Sequence, residues 1–364
     1  MEWLILLLAI PYIYLILNAY SGLKKLIPYN SKSEPSVFIS VVAACRNEEK
    51  NLEQFLSCLA SQNYNPAFFE VLIVDDNSTD STFKIASSFS ESGNFKVIRN
   101  NGRGKKSALE TGINSAIGNI IVTTDADCRA GEDWIRLIAG FFTDKNPDML
   151  ICPVILTGKP GVLNAFQEIE FIALQGITAG SASNAVPILC NGANLAFTRD
   201  SYLKNKGNLH KELASGDDIF LLQSLKKDRK NYIAWMESIE AAVYTAPAEN
   251  LLAFIKQRAR WISKAGSYDD STASATAIVT FVTISTQLFL FAGAFYSQEL
   301  LLVFTVFFFL KSIPDFLVIA NRTRFIGKMK LLWYFLPSQL IYPFYVLIVS
   351  TVAFMTRKDF AQQF

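Results

Sequence analysis

Three stretches of the sequence decide the predicted fold: VFISVVAACRNEE (residues 37–49), EVLIVDDNSTD (70–80) and NIIVTTDADC (119–128). In each of them a short apolar run ends in a group of polar and charged residues. A fourth apolar run, FKVI (95–98), lies between them, and helices are predicted from about Glu48, from Ser81 and near Lys105. Strands that alternate with helices at this spacing predict right-handed crossovers and a mostly parallel α/β sheet with helices on both faces.

Polar residues follow each of the four predicted strands. Because ligands bind parallel sheets at the carboxyl ends of the strands, these residues are expected to share one rim. A single Asp-Asp-Asn-Ser group is more often a helix cap than a site, but four such groups in order favour a site. They are Arg46, Asn47 and Glu48; Asp75, Asp76, Asn77 and Ser78; Arg103, Gly104 and Lys105; and Asp125, Ala126 and Asp127.

The residue types at this rim limit its chemistry. Asp125 and Asp127 can offer oxygen ligands to a hard divalent cation, which also binds substrate phosphates. Such a cation neutralises a diphosphate leaving group, and Lys105 can assist it. The segment around Gly104 lacks the spacing of a P-loop, and no GxGxxG follows the first strand. An ATPase and a dinucleotide-binding protein are therefore both disfavoured.

The distribution of apolar residues predicts a membrane protein. Of the 364 residues 51% are hydrophobic, and these crowd into the first twenty or so positions and the region after about Asp270. Lys24 and Lys25 follow the first apolar run, which favours a retained anchor whose C-terminal end faces the cytoplasm. Three further spans are predicted at about residues 274–296, 300–320 and 331–354.

The loop between the second and third of these spans is basic, and the same rule places it in the cytoplasm. If the last span crosses the membrane, two basic residues beyond it lie on the side opposite the cytoplasm, which disagrees with this rule. That span, interrupted by Pro337 and Pro343, is therefore either a full crossing or a re-entrant segment. The basic residues are Arg322, Arg324, Lys328 and Lys330 in the loop, and Arg357 and Lys358 beyond the span.

One apolar span carries two ionisable residues, Lys311 and Asp315, at i,i+4 spacing. Charges inside a membrane are costly and often mark a path for a polar substrate, here an acceptor. The alternative, which we favour, is that the two side chains pair on one helix face.

Several function classes are excluded by composition. The formal net charge of +2 is too small for a nucleic-acid surface. The five cysteines form no CxxC pair and are interpreted as reduced thiols in a cytosolic compartment. His210 is the only histidine, which excludes a histidine-based triad or zinc cluster.

The ordered motifs between about Val37 and Trp261 resemble those of the membrane-bound family 2 glycosyltransferases, inverting enzymes with a GT-A (Rossmann-like) fold that use nucleotide-diphosphate sugars. ACRNEE (44–49) resembles the first nucleotide-contacting loop of the family. VDDNSTD (74–80) resembles its uridine- and ribose-binding turn, and GKKSAL (104–109) the segment whose lysine lies near the nucleotide. The donor-binding residues implied by this resemblance are Arg46, Glu48, Asp75, Asp76, Lys105 and Asp125.

Two further motifs concern the metal and the catalytic base. TDADC (124–128) resembles the DxD motif, which implies Mg²⁺ or Mn²⁺ bound directly by Asp127, with Asp125 close to the metal, sugar or diphosphate. SGDDIFL (215–221) resembles the segment that carries the catalytic base, which implies Asp218 in that role with Asp217 beside it. Asp218 also begins a predicted helix, where an acid can simply be a cap.

The segment QRARW (257–261) matches the QxxRW signature of membrane-embedded members. The resemblance implies that Gln257, Arg260 and Trp261 border the acceptor and leaving-group side. The segment lies on a predicted amphipathic helix suited to a membrane surface, so Arg260 could equally snorkel and Trp261 anchor the interface. NGAN (191–194) resembles the loop before the acceptor region. One departure is that Ala43 and Ala44 replace the proline often found before the first loop.

These observations predict a transmembrane anchor (1–23), a cytosolic GT-A catalytic domain (24–248), an amphipathic interfacial helix (249–270) and a transmembrane C-terminal region (271–364) of an inner-membrane, multi-pass protein. The resemblance implies inverting, metal-dependent transfer from a nucleotide-diphosphate sugar, a UDP-sugar, to a membrane-associated, lipid acceptor. The alternatives are a processive polysaccharide synthase, for which about three C-terminal spans are few, and a catalytically silent membrane scaffold, which the intact carboxylates disfavour.

Overall fold

The computed structural model describes residues 2–31, 35–210, 213, 216–228 and 230–356, except the side chains of residues 92 and 265. The helices are α1 Ile10–Leu23, α2 Leu52–Ala60, α3 Thr82–Phe89, α4 Lys105–Ser115, α5 Trp134–Lys145, α6 Val162–Ser183, α7 Arg199–Asn205, α8 Asp217–Lys227, α9 Leu251–Ile262, α10 Ser271–Gly293, α11 Gln298–Phe325 and α12 Phe335–Met355. The strands are β1 Ile39–Cys45, β2 Phe69–Asp75, β3 Phe95–Arg99, β4 Ile120–Asp125, β5 Arg129–Ala130, β6 Met149–Ile151, β7 Val154–Leu156, β8 Leu195–Thr198, β9 Ile233–Trp235 and β10 Val243–Thr245.

The chain divides into two compact units. Among the described residues, the helical unit comprises residues 2–26, 158–189 and 247–356, and the sheet unit comprises residues between 27 and 157 and between 190 and 246. This division departs from the predicted contiguous domain 24–248, because α6 belongs to the helical unit. There α6 packs so tightly on α1 that a Cβ on Gly180 would lie 2.0 Å from the carbonyl oxygen of Ala19. Small residues permit such close helix packing, and this contact is not visible in the sequence.

A seven-stranded sheet with the order β3-β2-β1-β4-β8-β6-β9 is the core of the sheet unit. The strands β3, β2, β1 and β4 are parallel, as predicted, and β1 and β2 are almost completely buried, which is typical of central parallel strands. β8 runs antiparallel to β4 and β6, and β9 pairs in parallel with β6. A second sheet has the order β5-β10-β7.

The register of the parallel strands aligns the candidate site residues. Asp75, the last residue of β2, is the partner of Cys45 on β1 and of Arg99 on β3. Asp125, the last residue of β4, is the partner of Ala44. The polar groups that follow these strands therefore begin at one edge of the sheet, as the sequence predicts.

At the opposite edge, Glu70 connects the parallel strands. Its buried carboxylate on β2 accepts hydrogen bonds from Ser40 Oγ on β1 (2.6 Å), from Lys96 Nζ on β3 (2.8 Å) and from the backbone N of Ile117, which precedes β4 (2.7 Å). Burial alone would raise the pKa of Glu70. The three hydrogen bonds outweigh burial and hold this pKa below its ordinary value of 4.5.

Within the described residues, four helical segments of the helical unit are long and apolar enough to cross a membrane, namely Glu2–Leu23, Ser271–Gly293, Gln298–Phe325 and Met329–Met355. They include most of the four predicted spans. The last contains the continuous helix α12, with Pro337 in its first turn, where proline is tolerated, and Pro343 in its interior. Arg357 and Lys358, on which the alternative of a re-entrant segment depends, lie outside the described residues.

The ionisable pair predicted in the third of these segments is present. Lys311 Nζ lies 2.8 Å from Asp315 Oδ2, and both residues are buried. The hydroxyl of Tyr12 donates to Asp315 Oδ1 (2.8 Å), and Lys311 donates to Gln339 Oε1 (2.6 Å). Each charge therefore has an opposite charge and a further polar partner, the condition under which charges are tolerated in an apolar interior.

Replacement of Glu70 by Gln is expected to lower the free energy of unfolding by about 1–3 kcal/mol, because Lys96, Ser40 and the Ile117 N–H lose a charged acceptor. The pKa of Glu70 is depressed in the folded state. Its stabilisation is therefore present above the ordinary pKa of 4.5 and is lost as the pH falls through the folded value. Thermal unfolding in detergent at a series of pH values measures both effects.

The difference in the free energy of unfolding between wild type and Glu70→Gln is expected to shrink on acidification. A difference that stays constant with pH would contradict this role of Glu70. Lys204→Gln is the control, since it breaks an ion pair with Asp200 in which both side chains are 71% exposed. Exposed pairs contribute little, so the control is expected to unfold like the wild type.

Candidate active site

Hydrogen bonds join the loops that follow β1 and β2. The backbone N of Asn47 donates to Ser78 Oγ (3.1 Å), and Asn47 Oδ1 accepts from the backbone N of Thr79 (2.9 Å). The backbone N of Glu48 donates to Thr82 Oγ1 (2.7 Å). Asn47 has a φ of 55°, in the left-handed region that asparagine tolerates better than most residues. The two predicted nucleotide-contacting loops therefore form one connected surface.

Asp76 joins these loops to the segment after β3. Its buried carboxylate accepts hydrogen bonds from Asn100 Nδ2 (2.7 Å) and from the backbone N of Gly104 (2.9 Å to Oδ2). Arg46, on the loop after β1, lies 3.8 Å from the same carboxylate. Gly104 has a φ of 86°, which favours glycine, and it immediately precedes α4. Asp76 thus fixes the backbone that presents Lys105.

Asp75 is as deeply buried as Asp76 but has a different environment. Its Oδ1 atom has no hydrogen-bond partner among the residues that the structure describes. A buried polar atom without a partner is costly and rare in folded proteins. The two neighbouring carboxylates, which the sequence does not distinguish, therefore differ: Asp76 is engaged within the protein, and Asp75 retains an unused acceptor.

Lys105 lies among carboxylates from two other chain segments. It is the first residue of α4 and donates a hydrogen bond to Asp125 at the end of β4. Burial lowers the pKa of Lys105, but the negative charges of Asp125, Asp217 and Asp218 outweigh burial and raise it above its ordinary value. The structure thus brings three of the predicted site residues together around the ammonium group of a fourth.

Asp127 and Glu48 face the same group of charges. Loss of solvation among the surrounding protein atoms raises the pKa of Asp127, and the charge of Asp125 raises it further. The pKa of Glu48 is raised first by burial and then by the charges of Asp127 and Asp125, against a hydrogen bond from Asn51 that lowers it. A concentration of negative charge that disfavours ionisation is an environment in which a cation binds well.

Asp218 is held in place by backbone groups. Its Oδ2 accepts from the backbone N of Gly192 (2.9 Å), and its Oδ1 from the backbone N of Ile219 (2.8 Å). Thr123 Oγ1, on β4, donates to the carbonyl oxygen of Gly192 (3.0 Å). Burial and the neighbouring charge of Asp218 raise the pKa of Asp217, against Lys105 and Lys106, which lower it. Asp218 is therefore the second residue of α8, within its first turn, and its charge also acts on Lys105.

Within the described part of the chain, no group of three His, Cys, Asp or Glu side chains is arranged to hold a metal ion. A site of the predicted kind needs fewer protein ligands, because Mg²⁺ keeps several waters and binds through one or two carboxylates together with substrate phosphates. Asp125 and Asp127 fit such a site, although Asp125 is hydrogen-bonded to Lys105.

Gln257, Arg260 and Trp261 lie on α9 in the helical unit, and each is half-buried. Two residues of the QRARW segment are buried, Arg258 and Ala259, and neither was among the predicted site residues. The assignment of the other three to the acceptor side remains a prediction.

Sequence reasoning also missed Asn100 and Thr123. Asn100 directly follows β3, so the rule that selects residues past strand ends could have identified it. Thr123 lies inside β4 and is buried, and its contact with Gly192 spans 69 residues. The sequence carries no local signal for that contact.

Comparison with known proteins agrees with this geometry. Residues 40–205 match the model of glycosyl transferase family 2. Glycosyltransferase AglE of Haloferax volcanii is 29% identical over 184 residues, which cover 50% of this chain and 59% of that protein. Poly-beta-1,6-N-acetyl-D-glucosamine synthase of Staphylococcus epidermidis is 28% identical over 231 residues, covering 61% of this chain and 53% of the synthase. The chain spans between about half and three fifths of the length of these two curated relatives.

Among solved structures, the mannosyltransferase PcManGT from Pyrobaculum calidifontis, in complex with GDP-Man and Mn²⁺, matches with a TM-score of 0.57 at 15% identity. The match covers 94% of this chain and 99% of PcManGT, and it supports a similarity of fold. The chain therefore has a GT-A-like sheet, and the curated relatives that it resembles are glycosyltransferases. The family 2 match applies to residues 40–205, a segment that includes β2, β3, β4 and β8.

Asp75 and Asp76, at the end of β2, allow a matched test of which carboxylate is engaged within the protein. Asp76→Asn is expected to lower the free energy of unfolding by about 1–3 kcal/mol, because Asn100 and the Gly104 N–H lose a charged acceptor and an NH₂ group replaces one of its two accepting oxygens. Asp75→Asn is the control at equal burial. Asp75 Oδ1 has no partner to lose, so this variant is expected to unfold at or above the wild-type temperature. Equal destabilisation by both substitutions would contradict the distinction.

Proposed function

We propose that this protein transfers a sugar from a nucleotide-diphosphate sugar to a membrane-associated acceptor, with inversion at the anomeric carbon and with a divalent cation. The observation that carries the proposal is the group of carboxylates around Lys105, formed by Asp125, Asp217 and Asp218. Lys105 and Asp125 of this group lie within residues 40–205, which match the family 2 model, and Asp125 ends β4 at the carboxyl edge of the sheet. With a divalent cation bound by the carboxylates, the cation and Lys105 would stabilise a departing diphosphate, which a scaffold without catalysis does not require.

The donor nucleotide would bind along the connected loops after β1 and β2. A nucleobase N–H would give Asp75 Oδ1 the hydrogen bond that it lacks, which supports Asp75 rather than Asp76 as the base-contacting residue. Arg46 and Lys105 would lie along the phosphates as cations. Asp76 acts through the backbone of Gly104, by holding the start of α4 in position.

A divalent cation would be held by Asp127, with Asp125 beside it. When bound, the cation neutralises charge on the departing diphosphate. It would also relieve the repulsion that raises the pKa of Asp127, since Asp125 and Glu48 crowd the same space. Lys105, which is bonded to Asp125, adds a second positive charge on the leaving-group side.

Asp218 is the proposed general base. It takes the proton from the acceptor hydroxyl while the oxygen forms a bond to the anomeric carbon and the bond from that carbon to the diphosphate oxygen breaks. This single displacement inverts the configuration. The N–H groups of Gly192 and Ile219 hold the carboxylate in one orientation, which general-base catalysis requires.

The acceptor is proposed to be a lipid, because only three of the apolar helices found among the described residues lie at the C-terminal side, which are few for a polymer channel. A processive polysaccharide synthase is the second candidate, since one relative is a poly-beta-1,6-N-acetyl-D-glucosamine synthase. The two differ in product. Purified protein would be incubated with sugar-labelled UDP- and GDP-sugars, Mg²⁺ or Mn²⁺, and vesicles of lipid extracted from the expressing cells. A single labelled lipid supports the proposal, whereas a ladder of lengthening glycans supports the synthase.

Two substitutions separate metal binding from base catalysis. Asp218→Asn is expected to lower the transfer rate by about 10²-fold or more, because the general base is lost, while cation-dependent nucleotide binding persists. Asp127→Asn is expected to abolish the cation-dependent part of nucleotide binding, measured by thermal shift. Asp200→Asn, at an exposed acid outside the site, is the control. Full transfer activity in both site variants would refute the assignment.

Thr123 tests whether the Gly192 peptide positions the base. Thr123→Val keeps the shape of the side chain but removes the hydroxyl that binds the Gly192 carbonyl oxygen. We expect a fall of about 10-fold in kcat with unchanged nucleotide affinity, since small displacements of a catalytic group are costly. Thr123→Ser retains the hydroxyl and is expected to keep most of the activity. A loss of kcat that serine does not restore would contradict this role.

A further inference from the structure

The helical unit contains a buried ion pair, one member of which, Arg258, belongs to the QRARW segment. Arg258 on α9 donates from Nε to both carboxylate oxygens of Glu170 on α6 (3.0 and 3.1 Å) and from a terminal nitrogen to Oε2 (2.6 Å). The two side chains are only 5% and 8% exposed. The motif-bearing helix is thereby fixed to a helix that lies more than eighty residues earlier in the chain.

Aromatic side chains and a third helix enclose this pair. Tyr345 on α12 donates its hydroxyl to Glu170 Oε1 (3.2 Å). The ring of Tyr345 stacks on Phe254 at 5.1 Å between centroids, and Phe166 packs edge-on against both rings. Glu170 therefore has its hydrogen bonds supplied from α9 and α12, within an otherwise apolar environment.

The same guanidinium contacts two residues of the motif. Its second terminal nitrogen donates to Gln257 Oε1 (2.6 Å), and its face lies 4.1 Å from the ring centroid of Trp261. A planar guanidinium can bind a carboxylate through two nitrogens, donate from a third position and stack on an aromatic ring at once. Gln257 and Trp261 are thus oriented by one cation whose own position is set by Glu170 and Tyr345.

Stability alone is a weak reason for such a pair. When two charges are buried, the loss of their hydration often cancels the attraction between them. Proteins in which apolar residues of similar volume replace such a pair are frequently as stable as the original. The pair does supply a fixed orientation, because the fork of the guanidinium and the carboxylate match in only a few geometries.

We propose that Arg258 is the positioning residue of the QxxRW segment, and that it holds the Gln257 amide and the Trp261 ring in the arrangement that sugar transfer requires. This inference rests on the proposed function. In this proposal, Glu170 on α6 and Tyr345 on α12 hold Arg258 in place. Arg258 itself contacts neither donor nor acceptor.

The test uses Arg258→Lys in the full-length protein, with the labelled donor and lipid vesicles that support transfer by the wild type. Lysine keeps a cation beside Glu170, so the fold is expected to survive. It cannot also reach Gln257 and present a flat face to Trp261. We expect kcat to fall by about 10- to 10²-fold, with nucleotide affinity within about twofold of wild type. Lys328→Gln is the control, since it breaks the Lys328–Glu168 ion pair on the same helix α6.

A double-mutant cycle separates positioning from a purely structural role. If Arg258 acts through Gln257, the loss of kcat in Arg258→Lys with Gln257→Ala will be smaller than the product of the two single losses. Independent, multiplicative losses would overturn the inference. An equal loss in the Lys328→Gln control, or a wild-type kcat in Arg258→Lys, would do the same. A wild-type protein without any transfer would overturn the proposed function and this inference together, whereas an active wild type isolates the inference.

For the case in which Arg258→Lys is poorly folded, Arg258→Met combined with Glu170→Met removes both charges of the pair at similar volume. Normal thermal unfolding with a reduced kcat would support positioning in that variant. Normal unfolding with unchanged kcat would overturn it.

Discussion

The register of four parallel strands is the constraint on which the rest of the site depends. Side chains alternate between the two faces of a strand, so a slip of one residue between β1 and β2 would exchange the face of every group that follows. Glu70 opposes such a slip from the far edge, because its carboxylate binds β1, β3 and the segment before β4 at once. The carboxylates at the near edge are aligned in consequence.

Much of the sheet unit could be predicted, because short segments of the sequence indicate its strands and the residues that follow them. Apolar runs that end in Asp75 and Asp125 indicate both a strand and the position of its functional end, and the structure places these residues where the pattern predicts. The assignment of α6 to the helical unit could not be predicted, since it depends on the contact of Gly180 with Ala19. The different environments of Asp75 and Asp76 likewise depend on where Asn100 and Gly104 lie in space.

Main-chain groups, rather than other side chains, orient several key residues. Gly104 N binds Asp76, and Gly192 N binds Asp218. Peptide N–H groups are present whatever the side chain, so the loops that carry them can vary in sequence while their geometry persists. The QRARW segment follows the other strategy, in which Arg258 depends on the identity of Glu170. Motif searches detect positioning by main-chain groups poorly, because a backbone N–H does not depend on the residue type.

The pairing of Lys311 with Asp315 has a consequence for biogenesis. Both residues belong to α11, so their charges can neutralise each other as soon as that one helix has formed. The segment can then enter a bilayer at a lower energetic cost than two isolated charges would impose. Tyr12 and Gln339, from α1 and α12, contribute their hydrogen bonds only when the helices meet. The same polar cluster would thus ease insertion first and select the correct neighbouring helices afterwards.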